Sequence, residues 1–535
     1  MNPDVVRYPG GTQANYWDWK TGKFLDNTDK TWNNKEVLKI PGFVNVLPDR
    51  TKIVYVVNMA RPTPSTGVSV TSNEQTLKST ATLNLKIDDM ISAINKFKDA
   101  GKMPYAVELG NEFYFGNEES GIFHIVENGG FYYSGWDVAN NAPFKSNDKK
   151  EATVVNAKFY LQQCKTIVSK LKEKFPTLKF ALTTTKEETN AAARERWNTT
   201  IFNELENNSD FSTLKNDIYA VTQHHYLNDK YGSQTVIFDD NSSKIAISEG
   251  IKYPKDKISD YNLVPNNYKI WYTEFGEVKE IAEETWASAI RYGAFIYGWL
   301  SLGDKVGQLD WHYISDNNVI KTSSPMKLAP VGIAAKLVSK AFADMKEMQE
   351  INFTNNPFSV DNVKSLYGYK FNNGEKETIL IINTSSNNFS SIDVKNLFNF
   401  IGDKEITQYY SDKPYISGVT EGNDNIKSVI KTTAGIINIK GFSISVIQLD
   451  TPGLSVNNEL IETISIYPNP IKNTVFIRAK NDVKSVSIYN TIGKRVSIID
   501  EIINSKIDIK HLKSGIYFLL FETNKGFIQK KIVKL

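Results

Sequence analysis

Residues 268–277 read YKIWYTEFGE, and residues 104–112 read PYAVELGNE. In both stretches an apolar run of strand character ends in polar residues, among them Glu274 and Glu112. Runs of this length, rich in β-branched and aromatic residues, predict buried strands. Each stretch is therefore predicted to be a strand that presents a glutamate at its carboxyl end.

Similar runs recur along the first 345 residues and alternate with amphipathic helical patterns. Alternation of this kind predicts parallel strands joined by helices, and we expect a (β/α)8-type TIM barrel over residues 1–345. Because the carboxyl ends of barrel strands build the active site, polar residues there are candidates for function. The other predicted strands are VVRYPGG (5–11), KIVYVVNM (52–59), LKFALTTTK (178–186), IYAVTQHHY (218–226) and FIYGWLSLG (295–303), which makes seven with the two above.

The pattern changes after the barrel. Short strands separated by Asn, Ser and Gly clusters predict a β-sandwich over residues 346–451. A linker is expected at 452–463, and a small immunoglobulin-like β-sandwich at 464–535. The chain is therefore predicted to be multidomain.

Composition excludes several classes of protein. The 63 basic and 60 acidic residues give a net charge of +3 without a basic stripe, so no nucleic-acid partner is expected. Cys164 is the single cysteine, which rules out an intrachain disulfide and any zinc site with two cysteine ligands. No run of eighteen apolar residues predicts a membrane span. Neither a metal nor a cofactor is expected.

The two glutamates fit one chemistry. Hydrolysis of a glycosidic bond needs a carboxylic acid on one side of the anomeric carbon and a carboxylate on the other. Glu112 suits the acid, because the preceding Asn111 can bind a substrate hydroxyl, and Glu274 suits the nucleophile. In the alternative interpretation, each glutamate merely ends a strand and faces solvent.

Four segments together resemble the retaining barrel glycosidases of clan A, nearest to the α-L-arabinofuranosidase, heparanase and β-glucuronidase-like families. The segments are RYPGGTQANYWDWKTG (7–22), ELGNE (108–112), HHY (224–226) and TEFGE (273–277). The resemblance implies that Arg7 helps to hold the nucleophile and substrate. It also implies that Asn111 is a hydroxyl ligand, Glu112 the acid/base and Glu274 the nucleophile.

The resemblance further implies roles for His224 and Tyr226, whose phenol would orient the nucleophile. These two residues share one strand face, whereas His225 points the other way and is predicted to be structural. For His224 a structural role remains the alternative. Sugar rings stack on aromatic faces, so Trp19 and Trp299 are candidates to line subsites.

The chain departs from those families in two respects. Thr12 stands where arabinofuranosidases usually have Asn, which leaves the sugar open. The RxPGG turn follows the second strand in these families but begins at residue 7 here, so the first βα unit is expected to be missing. We expect the sequence to be a fragment or to have a misplaced start that omits a signal peptide.

The last segment carries its own resemblance. The pieces YPNP (467–470), IYNTIGKRV (488–496) and LKSGIYFL (512–519) resemble the type IX secretion sorting domain of Bacteroidota. This implies secretion or attachment at the cell surface, anchored to the outer membrane, with the type IX machinery as a partner. The alternative is a plain carbohydrate-binding or adhesive sandwich.

The sequence therefore predicts a secreted retaining glycoside hydrolase that acts on an extracellular polysaccharide or oligosaccharide. The alternative is a non-catalytic surface protein that binds glycans on a degenerate barrel. A metal-dependent hydrolase is less well supported, because Asp310 and His312 in LDWHY form the only other convenient cluster. Their alternation suggests barrel packing with a substrate contact.

Overall fold

The structure is a computed structural model. It describes residues 3–15, 17–23, 37–59, 80–115, 124–127, 130–186, 196–227, 237–276, 284–312, 319–321, 325–398, 404–449, 464–479, 483–490, 495–500, 502, 505–523 and 526–535.

Seven parallel strands form the barrel sheet and follow one another in the order of the chain. The first and last of them, β1 and β10, approach each other without forming a ladder among the described residues. This nearly closed parallel sheet confirms the predicted TIM-type barrel. Its strands are β1 (Val5–Tyr8), β2 (Lys52–Val56), β3 (Ala106–Leu109), β7 (Lys179–Thr183), β8 (Ile218–Tyr226), β9 (Lys269–Gly276) and β10 (Val306–Trp311). Between β3 and β7 the chain forms a separate antiparallel sheet of three strands, β4 (His124–Glu127), β5 (Gly130–Asp137) and β6 (Ala142–Ser146).

Helices connect the barrel strands. The longest, α3, begins after Asp148, whose side chain accepts a hydrogen bond from the Lys150 N–H, and it ends at Phe175 before Pro176. Cys164 lies on its fully buried stripe, as expected for a small core residue. The helices are α1 (Ile40–Val46), α2 (Thr80–Asp99), α3 (Lys149–Lys174), α4 (Trp197–Asn207), α5 (Ser212–Asp217), α6 (Asp240–Asp256), α7 (Ile258–Leu263), α8 (Trp286–Leu300) and α9 (Pro330–Phe342).

The prediction of a strand at residues 295–303 is wrong. Most of this run belongs to α8, and the seventh strand is β10. Helix α8 is buried on nearly all sides, because Gly250 of α6 packs against its backbone and its Gly293 faces Ile382 and Ile444 of the following β-region. A helix enclosed in this way has no polar face, so its apolar run resembles that of a buried strand.

Beyond the barrel the chain is antiparallel. A six-stranded sheet in the order β13-β16-β17-β22-β19-β20 is the largest element, with three two-stranded ladders nearby in the chain. This agrees with the predicted β-rich region. The strands are β11 (Ile320–Lys321), β12 (Lys327–Leu328), β13 (Glu347–Glu350), β14 (Phe358–Val360), β15 (Val363–Lys364), β16 (Leu366–Asn372), β17 (Glu377–Asn383), β18 (Phe389–Asp393), β19 (Lys404–Tyr410), β20 (Lys427–Thr433), β21 (Ile436–Ile439) and β22 (Ser443–Leu449).

The last 70 or so residues form a β-module with its own apolar core, which includes Val486, Ile488, Leu519 and Phe521. Two sheets build it, in the orders β23-β24-β27 and β26-β25-β28-β29. Its strands are β23 (Ile464–Tyr467), β24 (Thr474–Ala479), β25 (Val483–Asn490), β26 (Arg495–Ile499), β27 (Lys506–Asp508), β28 (Gly515–Thr523) and β29 (Gly526–Lys534).

Two compact units account for the chain. The first comprises 1–392, 407–430 and 437–447, and the second comprises 393–406, 431–436 and 448–535. The boundaries expected at 345, 451 and 463 stay predictions. Among the described helices, none has the length and apolarity needed to cross a membrane.

Candidate active site

Polar side chains from five barrel strands meet at the carboxyl ends of those strands. Arg7 comes from β1, Glu108 and Glu112 from β3 and the turn after it, and Glu274 from β9. His224 and Tyr226 come from β8, and His312 directly follows β10. The strand ends thus bring together groups that lie up to 300 or so residues apart in the sequence, as barrel sites do.

Arg7 is the centre of a buried network. Its Nε and Nη2 donate to the two carboxylate oxygens of Glu108 at 2.6 and 2.7 Å, and Nη2 also donates to Asn111 Oδ1 at 2.7 Å. Its Nη1 donates to Glu274 Oε1 at 2.7 Å. Burial disfavours the charged guanidinium, but Glu108 and Glu274 outweigh it and raise the pKa of Arg7. The guanidinium therefore stays charged and fixes three side chains at once.

Glu274 is held at both carboxylate oxygens. Oε1 accepts from Arg7, and Oε2 accepts from the Tyr226 hydroxyl at 2.5 Å. Burial alone raises the pKa of this carboxyl, but His224, Arg7 and His312 with the Tyr226 hydrogen bond lower it to about 2. Glu274 is therefore ionised at any ordinary pH.

Gly11 allows the backbone of the turn after β1 to approach Glu274 closely. A Cβ on Gly11 would lie 2.0 Å from Glu274 Oε1 and 3.3 Å from Arg7 Nη1. No side chain fits in that space, so the RYPGG turn needs glycine at residue 11 for the carboxylate and the guanidinium to meet.

Glu112 lies in a different environment from Glu274. Its backbone is in the left-handed region, with φ at 52°, directly after the β3 strand and its glycine turn. Its Oε1 accepts from the Tyr114 hydroxyl at 2.9 Å and lies 2.9 Å from His224 Nδ1. The side chain is 19% exposed, against 7% for Glu274, so Glu112 is the carboxyl group more open to solvent. An observed left-handed non-glycine residue at a polar cluster is typical of a functional position.

His224 lies between the two glutamates. The register of β8 against β9 shifts between Gln223 and His224, and this bulge pairs His224 with Glu274. His224 Nδ1 lies 2.9 Å from Glu112 Oε1 and 3.5 Å from Glu274 Oε2. Burial lowers the pKa of His224, but both carboxylates more than offset this and raise it.

His225 takes the opposite face of the strand, as predicted. It is fully buried, contacts Gln223 and Tyr253, and packs edge-on against Trp299 at 4.8 Å between ring centroids. Trp299 itself is fully buried on α8. The prediction that Trp299 lines a subsite is therefore wrong, because its ring is enclosed by those of His225, Tyr272 and Phe295 and has no face open to a sugar.

Trp19 is half-buried, and its indole N–H donates to Asp89 of α2 at 3.0 Å. Its role as a sugar platform stays a prediction. The structure brings the other predicted residues into one cluster: Arg7, Asn111, Glu112, His224, Tyr226 and Glu274.

Two residues in the cluster, Glu108 and Tyr114, were not assigned a role from the sequence, and a third, His312, was expected only to pack in the barrel with a substrate contact. Glu108 is fully buried and forms the bidentate partner of Arg7. Tyr114 donates to Glu112, and His312 Nε2 lies 3.3 Å from Glu274 Oε2. Their positions in the sequence could have indicated a role for two of them. Glu108 is an acidic residue inside an apolar strand, and His312 continues the alternation of polar residues along β10.

Glu112, His224 and Glu274 each offer a ligand atom, and these atoms lie within 4.8 Å of one another. Within the part of the chain that the structure describes, this trio could geometrically hold a cation. The Arg7 guanidinium already lies 2.7 Å from Glu274, however, and its positive charge disfavours a metal ion at the same carboxylate.

Replacing Arg7 with methionine is expected to destabilise the protein by about 3–5 kcal/mol, because Glu108 would keep an unpaired charge in a fully buried position. Urea unfolding of the full chain, followed by tryptophan fluorescence, measures this loss. The double variant Arg7→Met/Glu108→Gln removes that charge and should recover part of the stability. Equal destabilisation in the single and double variants would show that the unpaired carboxylate is not the cause.

Comparison with solved structures shows the fold. A GH51 arabinofuranosidase from Xanthomonas axonopodis pv. citri is similar over 84% of this chain and 87% of its own, at 11% identity and a TM-score of 0.52. The GH51 α-L-arabinofuranosidase from Thermotoga petrophila RKU-1 is similar over the same shares, at 16% identity and a TM-score of 0.50. A family 51 α-L-arabinofuranosidase from Bifidobacterium longum is similar over 83% and 87%, at 12% identity and 0.50. No curated protein sequence matches the chain.

One family matches by sequence. Residues 465–535 match a family described as a secretion system C-terminal sorting domain. This confirms the predicted sorting module at the carboxyl terminus and the expectation that the protein is secreted or attached to the cell surface. The chain thus combines a barrel fold shared with family 51 arabinofuranosidases and a C-terminal secretion sorting domain.

Proposed function

We propose that the chain is a secreted retaining glycoside hydrolase in which Glu274 is the nucleophile and Glu112 the acid/base. One observation carries the proposal: carboxylate oxygens of the two glutamates lie within 4.8 Å of each other at the carboxyl ends of the barrel strands. Retaining glycosidases place their carboxyl groups about 5–5.5 Å apart, whereas inverting enzymes leave room for a water at about 6.5–9.5 Å. The short separation favours direct attack by a carboxylate.

The first step forms a glycosyl-enzyme. A Glu274 oxygen bonds to the anomeric carbon while the glycosidic bond breaks, and Glu112 gives its proton to the departing oxygen. The Tyr226 and Arg7 hydrogen bonds keep Glu274 ionised and oriented before the attack. Asn111 is anchored through its Oδ1 by Arg7, which leaves its amide nitrogen as a donor for a substrate hydroxyl.

The second step releases the sugar. Glu112, now a carboxylate, takes a proton from a water molecule whose oxygen bonds to the anomeric carbon. The ester bond to Glu274 breaks, and the carboxylate returns to its hydrogen-bond donors. Two inversions give net retention. The contrast in exposure between the glutamates supports this division, because the acid/base must exchange protons with water and the nucleophile need not.

The sorting domain supports an extracellular location for the substrate, which the proposed glycoside hydrolysis makes a polysaccharide or oligosaccharide. Because the structural neighbours are named as arabinofuranosidases, an α-L-arabinofuranoside belongs in the first set of substrates to be tested. The panel should also hold aryl pyranosides and glucuronides, since the fold alone does not fix the sugar.

We expect hydrolysis of at least one glycoside with retention of anomeric configuration, observed by proton NMR of the first-formed product. A 2-deoxy-2-fluoro analogue of that substrate should label the protein once, and peptide mass spectrometry should locate the label on Glu274. Inversion, or a label elsewhere, would contradict the mechanism. If the protein hydrolyses nothing yet retains glycans on affinity electrophoresis, it is the glycan-binding protein that the sequence left as the alternative.

A further inference from the structure

His312 directly follows β10 and is fixed to the strand that carries Glu274. Its backbone N–H donates to the Phe275 carbonyl at 3.0 Å, so the β10 ladder continues one residue past the strand. Its ring packs edge-on against Tyr226, with centroids 5.1 Å apart and planes at 78°. The imidazole therefore has a defined position next to the nucleophile and next to the phenol that orients it.

The contact of His312 with Glu274 involves a particular oxygen. His312 Nε2 lies 3.3 Å from Glu274 Oε2, the oxygen that accepts the Tyr226 hydroxyl, whereas Arg7 holds Oε1. The side chain of His312 is 26% exposed, against 4% for His224, so it borders the open side of the cluster. Oε2 thus has three neighbouring donor groups: the Tyr226 phenol, His312 Nε2 at 3.3 Å and His224 Nδ1 at 3.5 Å.

Burial is the main reason that His312 favours its neutral form. Burial, His224 and Arg7 lower its pKa, and Glu274 and Glu112 oppose them without reversing the direction. His224 shifts the opposite way, so of the two imidazoles His224 is the one that takes a proton first. A neutral imidazole with its hydrogen on Nε2 can donate to Oε2.

We infer that His312 is a positioning residue that stabilises the Glu274 carboxylate as it leaves the sugar in the second step. The inference rests on the proposed function. A donor at Oε2 gains strength as the ester becomes a carboxylate, because negative charge develops on that oxygen. The same donor favours free Glu274 before the first step, so it does not speed the attack. His312 should therefore act on release of the sugar and not on formation of the glycosyl-enzyme.

The test uses an aryl glycoside with a good leaving group and two variants of the full chain. His312→Phe keeps a ring against Tyr226 and removes the donor, whereas His312→Gln keeps an N–H donor and removes the ring. For the phenylalanine variant we expect kcat and KM to fall together, each by about 10- to 100-fold. The loss of a hydrogen bond to a charged group changes a rate or equilibrium constant by about this factor. The ratio kcat/KM should stay within a few-fold of the native value.

Pre-steady-state measurement should show a burst of aryl alcohol in His312→Phe, equal to one per enzyme. His312→Gln should recover most of the native kcat. His511→Phe, an exposed histidine in the sorting module, is the matched control and should behave like the native protein.

A fall in kcat/KM without a burst would overturn the inference, since it would show a disturbed site and not a slow second step. Native kcat in His312→Phe would also overturn it while leaving the proposed function standing. If the native protein neither hydrolyses a glycoside nor becomes labelled at Glu274, the proposed function fails and the inference fails with it.

Discussion

Replacing Glu274 with alanine is expected to lower kcat by about 10⁴-fold or more, the scale of loss when covalent catalysis is deprived of its nucleophile. The change removes the atom that bonds to the anomeric carbon, so the first step has no route to a glycosyl-enzyme. It also leaves Arg7 Nη1 and the Tyr226 hydroxyl without their carboxylate acceptor. Steady-state hydrolysis of the best aryl glycoside measures the loss.

Chemical rescue sharpens this prediction. The alanine leaves a cavity next to the positive Arg7, which suits a small anion such as azide or formate. Azide should restore turnover of an aryl glycoside and give a glycosyl azide of inverted configuration, because a single displacement replaces two. Glu173→Ala is the matched control, since that glutamate lies exposed at the end of α3. Near-native hydrolysis by Glu274→Ala would refute the assignment of the nucleophile.

The barrel was predictable because its strands have a local signature. Six of the seven strands coincide with apolar runs that end in polar residues, and that pattern follows from burial of a parallel sheet on both faces. β10 reads VGQLDW and carries Gln308 and Asp310 toward the cluster side of the barrel, so it lacks the apolar run. The sequence predicted the seventh strand at residues 295–303 instead, and most of these residues belong to α8, a helix without a polar face.

The site was predictable where side chains alternate between the two faces of a strand, because the alternation determines which of them face the cluster. His224 and Tyr226 face the glutamates and His225 faces the core, as a two-residue period requires. Contacts between distant residues were not predictable in the same way. The Arg7–Glu108 pair joins residues 101 positions apart, and the His312–Glu274 contact depends on how far β10 extends past its neighbour. Trp299 was wrongly predicted to line a subsite, because the direction of its side chain was inferred from a strand, whereas the residue lies on helix α8.

Replacing Glu112 with glutamine is expected to lower the rate of turnover by about 10²–10⁴-fold, the usual contribution of general acid–base catalysis. Glutamine has nearly the same shape, and its oxygen can still accept from the Tyr114 hydroxyl and from His224 Nδ1, so the effect reports the lost proton transfer and not a lost contact. The loss should depend on the leaving group. Substrates with a poorly acidic leaving alcohol need a proton in the first step and should be affected most.

Activated substrates separate the two steps in the Glu112→Gln variant. An aryl glycoside with an acidic phenol leaves without help, so the glycosyl-enzyme should form and then accumulate, because no base activates water. Azide needs no base, and it should restore turnover and give a glycosyl azide of retained configuration, the opposite of the product from Glu274→Ala. It should not rescue His312→Phe, in which Glu112 is intact. A loss that is the same for all leaving groups and insensitive to azide would exclude Glu112 as the acid/base. Retained product from one variant and inverted product from the other would place the two carboxylates on opposite sides of the same anomeric carbon.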